Sequence, residues 1–149
     1  MPGGTAIAVG LVALGGLAGA VQAAVMGRFG ERIGTLEAFA YATLVTAAIA
    51  AAMLVLARQG FGGYVQAARE PKWLLLAPVS AVIVVLGITY AAPRIGTTAT
   101  VGILTAGNLA TAAVIDRYGA FGVDQIPLTG TRVAGILLLG VGAALVLTR

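Results

Sequence analysis

The chain has 149 residues, of which 60% are hydrophobic and only 9% are charged, and its mean hydropathy is +1.03. Soluble domains carry about 25% charged residues, so this chain has too few polar side chains to cover a water-facing surface. The net charge of +4 comes from basic residues that stand singly or in small groups, which argues against nucleic-acid binding. The composition therefore indicates an integral membrane protein.

Side chains that carry enzyme chemistry are scarce. The sequence contains no cysteine and no histidine, and Ser80 is its only serine. These absences exclude disulfides, thiolate or imidazole metal sites and a Ser-His-Asp triad. We therefore expect neither catalysis nor a bound metal or other cofactor.

Five apolar segments are each long enough to cross a bilayer, which takes about 20 residues. The first lacks a basic N-terminal flank and is longer than the apolar core of a signal peptide, so it is interpreted as a retained span. The sequence predicts an all-α integral membrane protein whose five transmembrane helices form one domain over residues 1–149. The spans cover residues 5–26, 36–57, 73–92, 95–115 and 131–148.

The segments between the spans are predicted as turns and loops. "GRFGERIGT" joins the first two spans, and "RQGFGGYVQAAREPK" joins the next two with room for a short interfacial helix. Pro93 and Arg94 predict a tight turn before the fourth span, and "DRYGAFGVDQIP" separates the fourth from the fifth. Pro78 predicts a kink in the third span, because proline cannot donate to the carbonyl of Leu74.

A four-residue motif, RIGT, occurs twice. It stands at Arg32–Thr35 and again at Arg94–Thr97, each time before an even-numbered span. Aligning the two copies also places Thr46 on Asn108. The repeat suggests that spans one and two form a hairpin related to spans three and four.

The basic residues are divided almost evenly between the two sides of the membrane. Such a small difference scarcely sets an orientation under the positive-inside rule. Either a modest bias still places the N-terminal side in the cytoplasm, or the chain inserts both ways and pairs antiparallel with itself. We favour the second interpretation, a dual-topology homodimer whose ten helices form an inverted repeat like that of many transporters. Five basic residues lie on the N-terminal side (Arg58, Arg69, Lys72, Arg117 and Arg132) and four on the other (Arg28, Arg32, Arg94 and Arg149).

The fourth span carries polar groups that lipid cannot satisfy. At 100° per residue, Thr97, Thr100, Asn108 and Thr111 lie on one side of the helix, with Thr105 at the edge of this stripe. Threonines often bond back to their own helix or pack at helix interfaces. Asn108 cannot satisfy its amide locally, so we expect the stripe to face a neighbouring helix or a wet cavity on a substrate path.

Two residues near the start of the second span extend the candidate pathway. Glu37 is either a solvated carboxylate at a helix N-terminus, the favoured interpretation, or a group that binds cations or protons. Tyr41 lies one turn beyond Glu37, and its ring can stack on a substrate or make a cation–π contact. The complete predicted pathway comprises Gln22, Glu37, Tyr41, Thr43, Tyr90, Thr97, Thr100, Thr105, Asn108 and Thr111.

Other residues are predicted to be structural. Asp116 closes the fourth span and Arg132 opens the fifth on the same side of the membrane, so the two are expected to form an ion pair. Small residues allow helices to approach closely, and the fifth span is the candidate for a contact between protomers. The glycines assigned to helix packing are Gly15, Gly19, Gly135 and Gly140.

Several stretches carry a resemblance to a known family. These are "AVQAAVMGRFGERIG", "KWLLLAP", "AAPRIGTT", "TAGNLATAAVIDRYGAFG" and "LTGTRVAGILLLGVG". In order and spacing they resemble the short five-helix, YdcZ-like branch of the drug/metabolite transporter superfamily. The resemblance implies small-molecule transport in the inner membrane by a chain equivalent to half of a ten-helix transporter. Met26 and Asn108 stand where the family usually has asparagine and glutamine, and family-typical positions are Gln22, Asp116, Gly119, Gly122, Arg132 and Gly135.

The residues and the resemblance together predict a secondary transporter or facilitator. It would export a small neutral or weakly cationic metabolite or drug-like compound by alternating access between two inverted protomers in the lipid bilayer. The partner is a second copy of the chain or a homologue of opposite orientation. The alternative is a non-transporting membrane subunit whose polar stripe binds a partner protein.

Overall fold

The structure is a computed structural model that describes residues 2–58, 60 and 62–147, and these residues contain helices and no strand. Five helices are long and apolar enough to cross a membrane, counting α4 together with the 3₁₀ turn Lys72–Leu75 that precedes it. The fold is therefore all-helical with five candidate membrane spans, as predicted. The α-helices are α1 (Pro2–Ile33), α2 (Thr35–Leu56), α3 (Gly62–Ala67), α4 (Leu76–Ile95), α5 (Thr97–Tyr118) and α6 (Gly130–Leu147).

The joint between the first two spans is helical, so its interpretation as a loop was wrong. Helix α1 runs through "GRFGERI" to Ile33 and has 32 residues, which corresponds to about 48 Å. This exceeds the roughly 30 Å of a bilayer's hydrocarbon core, so the charged end of α1 can extend beyond it. Arg28 and Glu31 form an i,i+3 ion pair of 3.1 Å on the helix surface, a spacing that supports helix.

The tight turn predicted at Pro93 and Arg94 was also wrong. Both residues lie in the last turn of α4, which continues to Ile95. A proline near a helix end removes only one hydrogen bond, here the one that the carbonyl of Thr89 would accept. Pro78 lies in the first turn of α4, directly after the 3₁₀ turn that contains Leu74, and a proline is well tolerated at such a position.

Single glycines end these two helices. Gly34 is the one residue between α1 and α2, and Gly96 is the one residue between α4 and α5. Both have positive φ angles, 100° and 85°, which side chains of other residues rarely allow. The helix therefore breaks where glycine can adopt this backbone, rather than at the other glycines or at proline.

The remaining connections contain short helical pieces. Helix α3 occupies the segment in which a short helix was predicted. The connection from α5 to α6 begins at Gly119, a left-handed residue whose N–H donates to the carbonyl of Ile115. Gln125 then folds back, and its Nε2 donates to the carbonyl of Tyr118 at 3.3 Å.

Contacts group the chain into two compact units, Met1–Val25 with Ala91–Arg149 and Met26–Tyr90. In the first unit α5 packs against α6, and a Cβ built on Gly102 would lie 3.6 Å from Ala143. In the second unit α1 meets α4 where Gly30 lies against Thr89. The boundaries fall within α1 and α4, and the single domain over residues 1–149 stays a prediction.

Buried positions are occupied mainly by small side chains. Thr89 is 1% exposed, whereas Val12 and Leu56 are 75% and 82% exposed. Large apolar side chains on the outside and small ones between helices are what a lipid solvent favours. The small buried apolar residues are Ala23, Ala38, Ala92, Ala99, Ala113 and Ala143.

Candidate functional site

Asn108 lies at the middle of α5. It is eleven residues after Thr97 and ten before Tyr118, the two ends of a helix about 33 Å long. Its side chain is exposed, and among the described residues its amide has no hydrogen-bond partner. A helix of this length can span the hydrocarbon core, and an amide at its middle would find no hydrogen-bond partner in lipid. Within its own compact unit, residues 1–25 and 91–149, no described residue bonds the amide of Asn108.

The threonines of the stripe divide into two groups. Thr100 is 5% exposed, and its Oγ1 donates to the carbonyl of Gly96 at 2.8 Å. Thr97 is half-buried, while Thr105 and Thr111 are exposed on either side of Asn108. Back-bonding therefore accounts for the hydroxyl of Thr100, and the exposed polar part of the stripe is Thr105, Asn108 and Thr111.

The exposed part of the stripe points away from the packed face of α5. Gly102, which faces Ala143 on α6, and the buried Ala113 mark that packed face. At 100° per residue, Asn108 lies about 120° from Gly102 and about 140° from Ala113. Helix α6 therefore does not cover the polar face of α5 formed by Thr105, Asn108 and Thr111.

The residues predicted on α2 form a separate group. The rings of Tyr41 and Phe29 meet edge-on, with centroids 5.6 Å apart and planes at 80°. This geometry is favourable for aromatic pairs, and the pairing with Phe29 was not predicted from the sequence. Thr43 donates its hydroxyl to the carbonyl of Phe39 at 2.8 Å, so back-bonding explains this threonine too.

Glu37 lies at the third residue of α2, and its carboxylate approaches the backbone of Gly34. A carboxylate in the first turn of a helix interacts favourably with the unpaired N–H groups there. Both interpretations of Glu37, as a solvated helix-terminal carboxylate and as a group that binds cations or protons, stay predictions. Gln22 and Tyr90 are exposed, and their place on one pathway with the α5 stripe stays a prediction.

The ends of α5 and α6 are joined by polar contacts. Nη2 of Arg132 lies 3.4 Å from Oδ2 of Asp116, with the two side chains 42% and 29% exposed. The backbone N–H of Ile126 donates to the carbonyl of Asp116 at 2.9 Å. Asp116 therefore anchors both α6 and the connecting loop.

One comparison decides which family the chain belongs to. Residues 7–145 match the model of the family described as "Putative inner membrane exporter, YdcZ". The chain belongs to the YdcZ family. It is a multi-pass protein of the inner membrane, and the description of its family names an exporter, which is not a class of enzyme. No curated protein and no solved structure matches the chain.

In this YdcZ-family chain, the glycines assigned to helix packing do not pack closely against the described residues. A Cβ built on Gly15, Gly19, Gly135 or Gly140 would meet nothing within 4 Å. Close approach occurs instead at Gly30, which lies against Thr89, and at Gly102, which lies against Ala143. These neighbours are distant in sequence, so the sequence pattern around each glycine does not predict the contact. A role of the assigned glycines against a second protomer stays a prediction.

A concave surface of this YdcZ-family protein lies away from the predicted pathway residues. It is an open depression of about 360 Å³ around α3, lined by Leu54, Gly60, Gly63, Tyr64 and Ala67. Substrate sites are usually enclosed and combine apolar walls with a few polar groups. This depression is open and none of the predicted pathway residues lines it, so the α5 stripe remains the better candidate.

Proposed function

We propose that the protein exports a small neutral or weakly cationic compound across the inner membrane. Two antiparallel copies would form a ten-helix transporter, and the polar face of α5 would line the substrate site between them. Alternating access would then expose this site to each side of the membrane in turn. Membership of an exporter family supports transport, and the near-equal distribution of basic residues supports two orientations.

The observation that carries this proposal is the exposed amide of Asn108. An unsatisfied amide in hydrocarbon costs several kcal/mol, so it is a poor choice for a surface that only touches lipid. Polar groups at mid-membrane depth typically mark substrate paths. No aspartate, glutamate, lysine or arginine lies near the middle of α5, which favours a substrate without a full fixed charge.

Transport by the purified chain alone tests the proposal. Proteoliposomes would be loaded with a mixture of small neutral amides and weakly basic aromatic amines, and their release would be followed by mass spectrometry. We expect at least one solute to leave faster than from protein-free vesicles. The Asn108→Leu variant should lose this release and still migrate as a dimer, because lipid-facing and interface contacts elsewhere are unchanged.

A matched variant separates loss of the amide from general damage. Ile103 lies on α5 about 140° from Asn108 and is 44% exposed, so Ile103→Leu should leave release unchanged. Release by Asn108→Leu at the normal rate would contradict the proposed site. An Asn108→Leu protein that dissociates into monomers would favour the alternative, a subunit whose stripe serves only assembly.

A further inference from the structure

We propose that Asn108 pairs with Asn108 of a second, antiparallel copy, so that two α5 helices cross at their midpoints and complete one polar site. This inference rests on the antiparallel dimer of the proposed function and names the groups that meet in it. Each copy would contribute half of the site, and within its own compact unit (residues 1–25 and 91–149) the amide of Asn108 has no hydrogen-bond partner among the described residues.

The depth of Asn108 is the first reason. A two-fold axis in the membrane plane exchanges the two halves of the bilayer, so only a residue at the midplane can meet its own copy. Asn108 stands eleven and ten residues from the two ends of α5. The residue is exposed, so a second helix can reach it.

The neighbouring threonines are the second reason. Thr105 and Thr111 lie three residues before and three after Asn108, each rotated about 60° from it in opposite directions. Antiparallel crossing at Asn108 brings Thr105 of one copy to the same depth as Thr111 of the other, on the two flanks of the Asn108 pair. The exposed polar pattern is thus self-complementary under this symmetry, as an isologous interface requires.

Amide chemistry is the third reason. A carboxamide carries two donor hydrogens and an acceptor oxygen, so two of them can exchange a pair of N–H···O=C hydrogen bonds. Hydrogen bonds between membrane helices are modest contributions, so this pair would fix the register without holding the dimer alone. One N–H and one lone pair of each amide stay available to a polar, uncharged substrate group.

Disulfide mapping in native membranes tests the crossing, because the chain has no cysteine of its own. Asn108→Cys should form a covalent dimer on mild oxidation. Thr105→Cys alone should not, since two copies of residue 105 would lie about 9 Å apart along the antiparallel axes. That exceeds the roughly 7 Å limit for Cα atoms bridged by a disulfide. Coexpressed Thr105→Cys and Thr111→Cys chains with different tags should form more covalent dimer than either variant alone, because these two residues lie at the same depth.

The controls separate the other outcomes. Val114→Cys, exposed on α5 about 120° from Asn108, should stay monomeric on denaturing gels. Self-bridging of Thr105→Cys and of Thr111→Cys would indicate parallel helices and overturn the inference. If the protein releases solute but Asn108→Cys forms no disulfide-linked dimer, the Asn108 crossing is wrong and the proposed transport function stands. A 108–108 bridge in a protein that releases no solute would support this crossing and contradict transport.

Discussion

Gly34 and Gly96 share one backbone conformation, with φ angles of 100° and 85° and ψ angles of 148° and 153°. Each is the single residue between two helices, and each belongs to a copy of the RIGT motif. The hydrogen bonds match as well: the N–H groups donate to the carbonyls of Gly30 and Ala92, and the carbonyls accept from Ala38 and Thr100, all at 3.0–3.1 Å.

Burial follows the same repeat. Residues 62 apart in the chain have similar exposure: Met26 and Ile88 are 6% and 7% exposed, and Ala38 and Thr100 are 0% and 5% exposed. A chance match of four letters would not carry backbone angles, hydrogen bonds and burial with it. These agreements support the interpretation of α1–α2 and α4–α5 as related helical hairpins.

The shared conformation makes both joints intolerant of a side chain. Gly34→Ala and Gly96→Ala should each destabilise the protein by about 1–3 kcal/mol, the usual cost of holding a non-glycine residue in such a region. Thermal unfolding of the purified protein in detergent measures this as a lower Tm. Replacing Glu37 as well should not rescue Gly34→Ala, because its flexible carboxylate can move aside while the backbone strain persists.

A helical glycine supplies the control for the two joints. Gly10 lies inside α1 with nothing within 4 Å of a built Cβ, so Gly10→Ala should keep or raise the Tm. An unchanged Tm in both joint variants would show that the breaks at Gly34 and Gly96 do not depend on glycine.

The contact between Gly30 and Thr89 leads to a second prediction. A Cβ on Gly30 would lie 2.6 Å from Cγ2 of Thr89, whose hydroxyl is fixed by a 2.7 Å bond to the carbonyl of Val85. Because this branched side chain cannot turn away, Gly30→Ala should destabilise by about 1–3 kcal/mol. Thr89→Ser removes Cγ2 and keeps the hydroxyl, so the double variant should recover much of the lost Tm.

If the Tm changes of Gly30→Ala and Thr89→Ser simply added in the double variant, this account of the contact between α1 and α4 would be wrong. The matched control is Gly19→Ala, in the same helix but with nothing within 4 Å of a built Cβ. Its Tm should not fall, because alanine is a better helix former than glycine and meets no neighbour there.

Length and hydropathy in the sequence were enough to predict that the chain has five helices able to cross a membrane. The predicted end of the fifth span at residue 148 lies outside the described residues. The joints were harder to predict. Gly30 and Pro93 look like helix breakers in a sequence, but one is a contact surface for Thr89 and the other lies in a last turn. Which glycine breaks a helix depends on its φ, and a glycine residue in the sequence does not by itself reveal that angle.

The candidate site could be predicted only in part. A mid-span amide such as Asn108 is visible in the sequence because lipid offers it no partner. The sequence did not show which threonines would bond to their own helix. Thr43 and Thr100 do so, and a threonine can instead direct its hydroxyl outward. The Phe29–Tyr41 pair was missed because residue 29 was assigned to a loop rather than to α1.

A third prediction concerns Asp116 and Arg132. Their 3.4 Å pair is partly exposed, so Arg132→Gln alone should cost no more than about 1 kcal/mol of stability. Asp116→Asn should cost a similar amount, and the double variant should be no less stable than either single one because no charge is left unpaired. Unfolding of the four proteins in detergent gives the coupling energy directly. Full additivity would show that the pair does not interact.

The last prediction concerns orientation, which the near-equal basic residues leave undetermined. We expect about half of the Arg149→Cys copies in intact cells to react with a membrane-impermeant maleimide. The other half should react only after lysis. Gln66→Cys, on the exposed surface of α3 and on the predicted opposite side, should also react to about half. Full reaction of one site and none of the other would establish a single orientation and exclude the antiparallel homodimer. A single orientation cannot supply a two-fold axis in the membrane plane, so the chain would then pair with an inverted homologue or act as the non-transporting subunit.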